Sequence, residues 1–122
     1  MGEEQRRPRI LVVEDNPLLA RFTTVMLTQL GCDVVGPVGC VDAGVALATD
    51  EPLDAALLDL NVADRSVAPV AEVLARRGTP FAVMTGYGHA SPLPVFQGRS
   101  CLYKPFREPD LKAVLEALLG PV

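Results

Sequence analysis

Apolar residues along this chain follow two rhythms, short unbroken runs and longer stretches in which they recur every three or four positions. The unbroken runs are Ile10-Leu11-Val12-Val13, Ala55-Ala56-Leu57-Leu58 and Phe81-Ala82-Val83-Met84, and each stops on a polar residue. A short apolar run bounded by turn signals predicts a strand buried on both faces. Two weaker segments, 33–38 with its Gly36-Pro37 interruption and 100–103, bring the expected strands to five.

Helices are expected between them. Asn16 and Pro17 mark a start, Asn as the cap and Pro in the first turn. Leu19, Phe22, Met26 and Leu30 form the expected sheet-facing stripe, and Gly31 ends it. A second helix is expected over 41–49, with Val41, Val45 and Ala48 on one side, and a third over about 67–77, with Pro69 in its first turn. The last covers 108–119, with Leu111, Val114, Leu115 and Leu118 inward and Gly120-Pro121 as its stop. Residues 89–98 carry Pro92, Pro94 and Gly98 without a clean period, which predicts a loop with at most one distorted turn. Alternating buried strands and helices imply a parallel sheet covered on both faces, joined by right-handed crossovers.

The 122 residues suit one domain. Residues 1–8 are expected as a flexible leader, with Arg6, Arg7 and Arg9 as a solvated tail, and 9–122 as the domain, with no effector domain. An apolar share of 49%, a charged share of 21% and a net charge of -4 exclude a disordered chain and argue against direct nucleic-acid binding. No stretch approaches a membrane span, and the polar start Met1-Gly2-Glu3-Glu4-Gln5 is unlike a signal peptide. Cys32, Cys40 and Cys101 lack metal-ligand spacing and are expected as reduced, buried thiols of a cytoplasmic protein.

In that architecture the C-terminal strand ends share one edge, where open α/β sheets carry their chemistry. An Asp closing a single strand is more often a turn former or a helix cap. Here, however, the same edge gathers Glu14 and Asp15, Asp59, Thr85 and Lys104 from four strands. Clustered carboxylates repel one another unless a proton or cation lies between them. A hard, oxygen-seeking ion such as Mg²⁺ suits the set, with Mn²⁺ as the substitute. Lys104 and Thr85 are placed to hold oxygens of a phosphoryl group. Phosphoryl transfer needs mainly positioning and charge neutralisation, and one carboxylate can accept the group as an acyl phosphate.

Val13-Glu14-Asp15-Asn16, Leu58-Asp59-Leu60-Asn61, Met84-Thr85-Gly86 and Tyr103-Lys104-Pro105-Phe106 resemble the signature of receiver domains of bacterial two-component response regulators. The resemblance covers about residues 9–120. The Thr85-Gly86-Tyr87-Gly88 turn and the Pro-rich stretch after it resemble a divergent branch of stand-alone receivers. It implies a three-layer α/β/α, flavodoxin-like (βα)5 fold with a doubly wound five-stranded parallel sheet in the order 2-1-3-4-5, its fourth helix short or irregular. It also implies that Asp59 accepts a phosphoryl group from a histidine of a sensor histidine kinase or phosphotransfer protein. Glu14, Asp15, Asp59 and the backbone carbonyl of Asn61 would hold Mg²⁺. Thr85, the Gly86 N–H and Lys104 would bind the phosphoryl oxygens, and Asn61 and Tyr87 would tune the lifetime of the adduct. Such a protein is not an enzyme beyond catalysing its own phosphorylation and dephosphorylation.

Two departures stand out. Cys101 occupies the position of the usual aromatic switch, which leaves Cys101 and Tyr103 as the candidates for that role, on the same side of their strand. The segment 86–98 replaces the usual fourth helix. Output is therefore expected through an unidentified downstream protein, or by service as a phosphate sink, without nucleic acid or membrane. A phosphorylation-independent pseudo-receiver is the alternative, opposed by the intact set of five. An Asp-based phosphohydrolase needs a second acid–base carboxylate where Asn61 stands. His89 is expected as a surface residue.

Overall fold

A computed structural model describes residues 6–86, 91 and 93–120. The unbroken apolar runs become strands β1 (Arg9–Val13), β3 (Ala55–Asp59) and β6 (Phe81–Gly86), flanked by β2 (Asp33–Val38) and β7 (Ser100–Lys104). Between β3 and the next helix lie two short strands, β4 (Asn61–Val62) and β5 (Arg65–Ser66), paired antiparallel as a hairpin. The other five strands form a parallel sheet in the order β2-β1-β3-β6-β7. Counted without the hairpin, that is the expected 2-1-3-4-5.

Helices α1 (Pro17–Gln29), α2 (Val41–Asp50), α3 (Ala68–Arg77) and α4 (Glu108–Leu119) make the outer layers. Successive strand residues point to opposite faces, so each run supplies two cores. Leu11, Val13, Ala56 and Leu58 pack with Val41 and Ala48 of α2 and Val70 and Leu74 of α3. Ile10, Val12, Ala55 and Leu57 pack on the other face with Leu27 of α1 and Leu111 and Leu115 of α4. No helix among the described residues is long and apolar enough to cross a membrane.

The structure corrects the expected face of α1. Its buried residues are Ala20, Thr23 and Leu27, and Phe22 is 52% exposed. Small side chains at positions 20 and 23 let the helix lie close to the sheet, which turns Leu18, Phe22 and Val25 outward. Leu19, Met26 and Leu30 are left half-buried along the flank. The cap at its start is as expected, with Asn16 Oδ1 accepting from the N–H groups of Leu18 and Leu19 at 3.0 and 3.1 Å.

The cysteine expectation is also corrected. Cys32 is buried, but Cys40 precedes the first turn of α2 and Cys101 lies on β7, both exposed. The reason for Cys101 lies in the crossover from β6 to β7. Its described part contains a single 3-10 turn, Pro94–Phe96, in place of a helix. Phe96 packs edge-on against Phe81 with ring centroids 6.4 Å apart, and the Arg99 guanidinium lies 4.2 Å from the Phe81 centroid. That plug covers β6 but leaves one side of β7 open, so Cys101 and Tyr103 face outward while Leu102 is buried.

Arg6, Arg7 and Arg9, expected as a solvated tail, are instead ion-paired at the opposite sheet edge, with Asp54 at 2.9 Å, Asp33 at 2.8 Å and Glu51 at 2.7 Å. Residues 1–5 of the expected leader lie outside the described residues.

One glycine sets the spacing between α2, α3 and the sheet. A Cβ on Gly44 would stand 2.9 Å from Val70 Cγ2 and 3.2 Å from Val13 Cγ2. Alanine gains about 1 kcal/mol in helix propensity, but overpacking costs about 1–3 kcal/mol. Gly44→Ala should lower stability by about 1 kcal/mol in denaturant titration, and most of that loss should vanish in a Val70→Ala background. An equal loss in both backgrounds would show that Val70 does not set the spacing.

Candidate functional site

Glu14 continues the line of β1, because its N–H donates to Val38 C=O at 2.9 Å, and this keeps its side chain 3% exposed. Both carboxylate oxygens are occupied. Oε2 accepts from the Asn16 N–H at 3.0 Å, and Oε1 accepts from Lys104 Nζ at 2.8 Å. Lys104 Nζ also donates to Asp59 Oδ2 at 3.0 Å. Asp59 ends β3, whose register sets it beside Met84 and then Leu102, so Lys104 sits two residues beyond that row and its side chain reaches back. The Lys104–Pro105 peptide is cis. Asp15 lies on the exposed side, with Oδ2 accepting from the Ala63 N–H at 2.9 Å. Glu14, Asp15 and Asp59 each bring one oxygen within 4.8 Å of the others.

Burial pushes the Glu14 carboxyl above its ordinary value, and the charge of Asp59 adds to this. Hydrogen bonds from Lys104 and the Asn16 N–H oppose the rise without cancelling it. Burial pulls Lys104 the other way, but its bonds to Glu14 and Asp59 outweigh it and leave the ammonium above its ordinary value. With all three carboxylates charged, one ammonium would leave two negative charges unbalanced. A divalent, hard cation matches both that charge and the all-oxygen donor set.

Thr85 is buried, and its hydroxyl donates to the Gly86 C=O at 3.2 Å. It stands beside Tyr103 in the β6–β7 register, as Gly86 stands beside Lys104. Asn61 is exposed at the start of the hairpin.

No family model matches the chain. Over 79 residues, 65% of its length, it is 35% identical to the sensor protein TorS of Escherichia coli, and it spans 8% of the length of that protein. The receiver domain of the sensor histidine kinase PA1611 from Pseudomonas aeruginosa, solved with a magnesium ion coordinated in its active-site cleft, superposes with a TM-score of 0.77. It is 25% identical, over 95% of this chain and 100% of that one. The solution structure of SdrG from Sphingomonas melonis has a TM-score of 0.82 and 38% identity, covering 93% of this chain and 97% of that one. Its BeF3-activated conformation has a TM-score of 0.76, with 38% identity over 91% and 95% of the two chains. This chain belongs to the receiver domains of two-component response regulators.

Most of the residues singled out in the receiver's sequence converge. Glu14, Asp15, Asp59 and Lys104 share one cluster, while Thr85 and Gly86 end the neighbouring strand. Cys101 and Tyr103 share the open face of β7, as strand alternation implies, and Tyr103 is 57% exposed beside Thr85. Tyr87 and His89 lie outside the described residues. Sequence reasoning missed the β4–β5 hairpin and its contact with Asp15. The only signal was Asp64, a residue tolerant of positive φ.

Both shifted groups bind their protons more tightly in the folded receiver than in the unfolded chain. Stability linked to each is complete below its ordinary value and is lost as pH rises through the folded one. That window extends upward from the ordinary carboxylate range for Glu14 and upward from the ordinary ammonium range for Lys104. Thermal midpoints of the metal-free receiver should therefore fall as pH rises out of the acidic range. Glu14→Gln should flatten that slope, and an unchanged slope would remove Glu14 as its source.

Proposed function

We propose that this receiver is a cytoplasmic response-regulator domain that takes a phosphoryl group onto Asp59. The donor is a phosphohistidine of a sensor histidine kinase or a phosphotransfer protein. The observation that carries this reading is the Lys104 ammonium, shared between Asp59 Oδ2 at 3.0 Å and Glu14 Oε1 at 2.8 Å. It sets a fixed positive charge beside the nucleophile, where negative charge gathers during transfer.

In the transfer, a carboxylate oxygen of Asp59 forms the new bond to phosphorus as the bond to the donor imidazole nitrogen breaks, and that nitrogen keeps the electron pair. Glu14, Asp15, Asp59 and the Asn61 carbonyl would hold Mg²⁺, which supplies neutralising charge when bound. Lys104, the Thr85 hydroxyl and the Gly86 N–H take the phosphoryl oxygens, and Asn61 and Tyr87 tune the lifetime of the adduct. Tyr103, beside Thr85 in register, and Cys101 carry the switch to the open face of β7. The donor docks on the outward face of α1, where Leu18 and Val25 are exposed along the groove that runs from Glu14 past Arg21 to Pro37, and Phe22 is exposed beside Val25. Output passes to a downstream protein, or the receiver drains phosphoryl groups as a sink. The magnesium in PA1611 and the BeF3-activated form of SdrG support the reading for relatives of this fold.

Incubation with acetyl phosphate or a phosphorylated kinase plus Mg²⁺ should add one alkali-labile phosphoryl group to wild type and none to Asp59→Asn. Lys104→Ala should slow its acquisition by about 100-fold, the scale for losing one oxyanion donor. A wild type that stays unmodified with every donor would favour the pseudo-receiver, a binding module that works without phosphotransfer.

A further inference from the structure

Beyond Asn61, the β4–β5 hairpin has no role in the chemistry above, yet its turn has an uncommon backbone. Asn61 pairs with Ser66 and Val62 with Arg65, which leaves Ala63 and Asp64 as a two-residue turn. Their φ angles are 51° and 64°, the only positive values at non-glycine residues among those described. Two-residue hairpins call for such angles because they match the twist of the strands, but they favour Asn-Gly or Asp-Gly. Alanine resists that conformation because its Cβ crowds the following carbonyl. Such a turn persists only where its surroundings over-determine it.

Three contacts hold it. Val62 is fully buried in the core beneath α3. The Val67 N–H donates to Leu60 C=O at 2.9 Å and closes the base of the hairpin. The Ala63 N–H, at the tip, donates to Asp15 Oδ2 at 2.9 Å. Seen from Asp15, that contact is the only hydrogen bond to its carboxylate among the described residues. Glu14 is held by Lys104 and the Asn16 N–H, and Asp59 by Lys104. Asp15, the exposed member of the three, has its orientation set from the hairpin alone.

We infer that the hairpin is a positioning device for the metal site: the Ala63 N–H, aimed by the strained turn, fixes the Asp15 carboxylate through Oδ2 and leaves its other oxygen for the divalent cation. Ala63 acts here through Asp15 and touches neither ion nor phosphoryl group. The inference rests on the reading of Glu14, Asp15 and Asp59 as a Mg²⁺ site. Partners that orient a ligating group are worth about 10–100-fold in metal affinity.

The test is Mg²⁺ affinity of the full chain without any phosphodonor, by calorimetry and amide chemical shifts, with amide hydrogen exchange at Ala63. Ala63→Asn keeps the N–H and accepts the left-handed conformation more readily, so it should bind Mg²⁺ as tightly as wild type or more so. Ala63→Pro removes the N–H and cannot adopt a positive φ, so it should bind about tenfold more weakly. In wild type the Ala63 amide should stay protected, or become more so, when Mg²⁺ is added. Faster exchange at Ala63 with Mg²⁺ would mean that amide and ion compete for the carboxylate, which overturns the inference. So would weaker binding by Ala63→Asn, or wild-type affinity in a folded Ala63→Pro, and either result leaves the metal reading standing. If Ala63→Pro does not fold, Ala63→Asn and the wild-type exchange decide the matter. A wild type that binds no Mg²⁺ overturns both.

Discussion

Lys104 Nζ ties together carboxylates that arrive from separate strands, and the rest of the edge is arranged around that ammonium. Glu14 and Asp59 come from neighbouring strands of a parallel sheet, so the fold itself forces like charges together. Two such groups with little access to water would raise one another's proton affinity or push the strand ends apart. The lysine, from the far end of the sheet, relieves this. It is a partial remedy, because one ammonium cannot balance three carboxylates. Glu14 shows the remaining imbalance as a carboxyl raised by burial and by the charge of Asp59.

That imbalance connects stability to function. Buried ion pairs seldom stabilise a fold over a well-packed apolar substitute, whereas breaking one by removing a partner costs about 3–5 kcal/mol. A cluster of this kind is therefore better understood as a functional site, in the proposed reading one for a cation and a phosphoryl group, than as a device for holding the sheet together. The apolar strands do the holding. Leu57, Leu58, Val12 and Val13 are fully buried immediately behind the charges, so the site rests on the packed centre of the sheet. The parts around it are lighter: a short hairpin on one side, and on the other a crossover whose described part holds one 3-10 turn.

The central strands were legible because a strand covered on both faces must be apolar throughout, and Ile10–Val13, Ala55–Leu58 and Phe81–Met84 are. The site was legible for a related reason. In such a strand the first polar residue marks the end, and parallel pairing brings those ends to one edge. The phase of α1 was not legible from hydropathy, since close approach to the sheet selected Ala20 and Thr23 over the larger Phe22. Cys101 was misjudged because its exposure depends on another part of the chain, the crossover whose described residues hold a 3-10 turn and no longer helix. The hairpin could not be seen because Ala63-Asp64 lacks the Gly or Asn that announces a two-residue turn, and a long-range contact helps to hold it. In each miss, tertiary packing overrode a local preference.

The charge balance of the site can be measured most directly as the effect of Mg²⁺ on the thermal midpoint of wild type and Lys104→Met. Ligand binding to the folded state raises the midpoint by an amount that grows with the logarithm of ligand concentration over Kd. Without metal, the variant should melt well below wild type, because Glu14 and Asp59 have lost the ammonium they share. Saturating Mg²⁺ should then raise the variant more than wild type, since the ion takes over the neutralisation that Lys104 supplied. Equal shifts in the two proteins, or no shift in either, would contradict the account of Lys104 and a divalent cation as partners in balancing one acidic site.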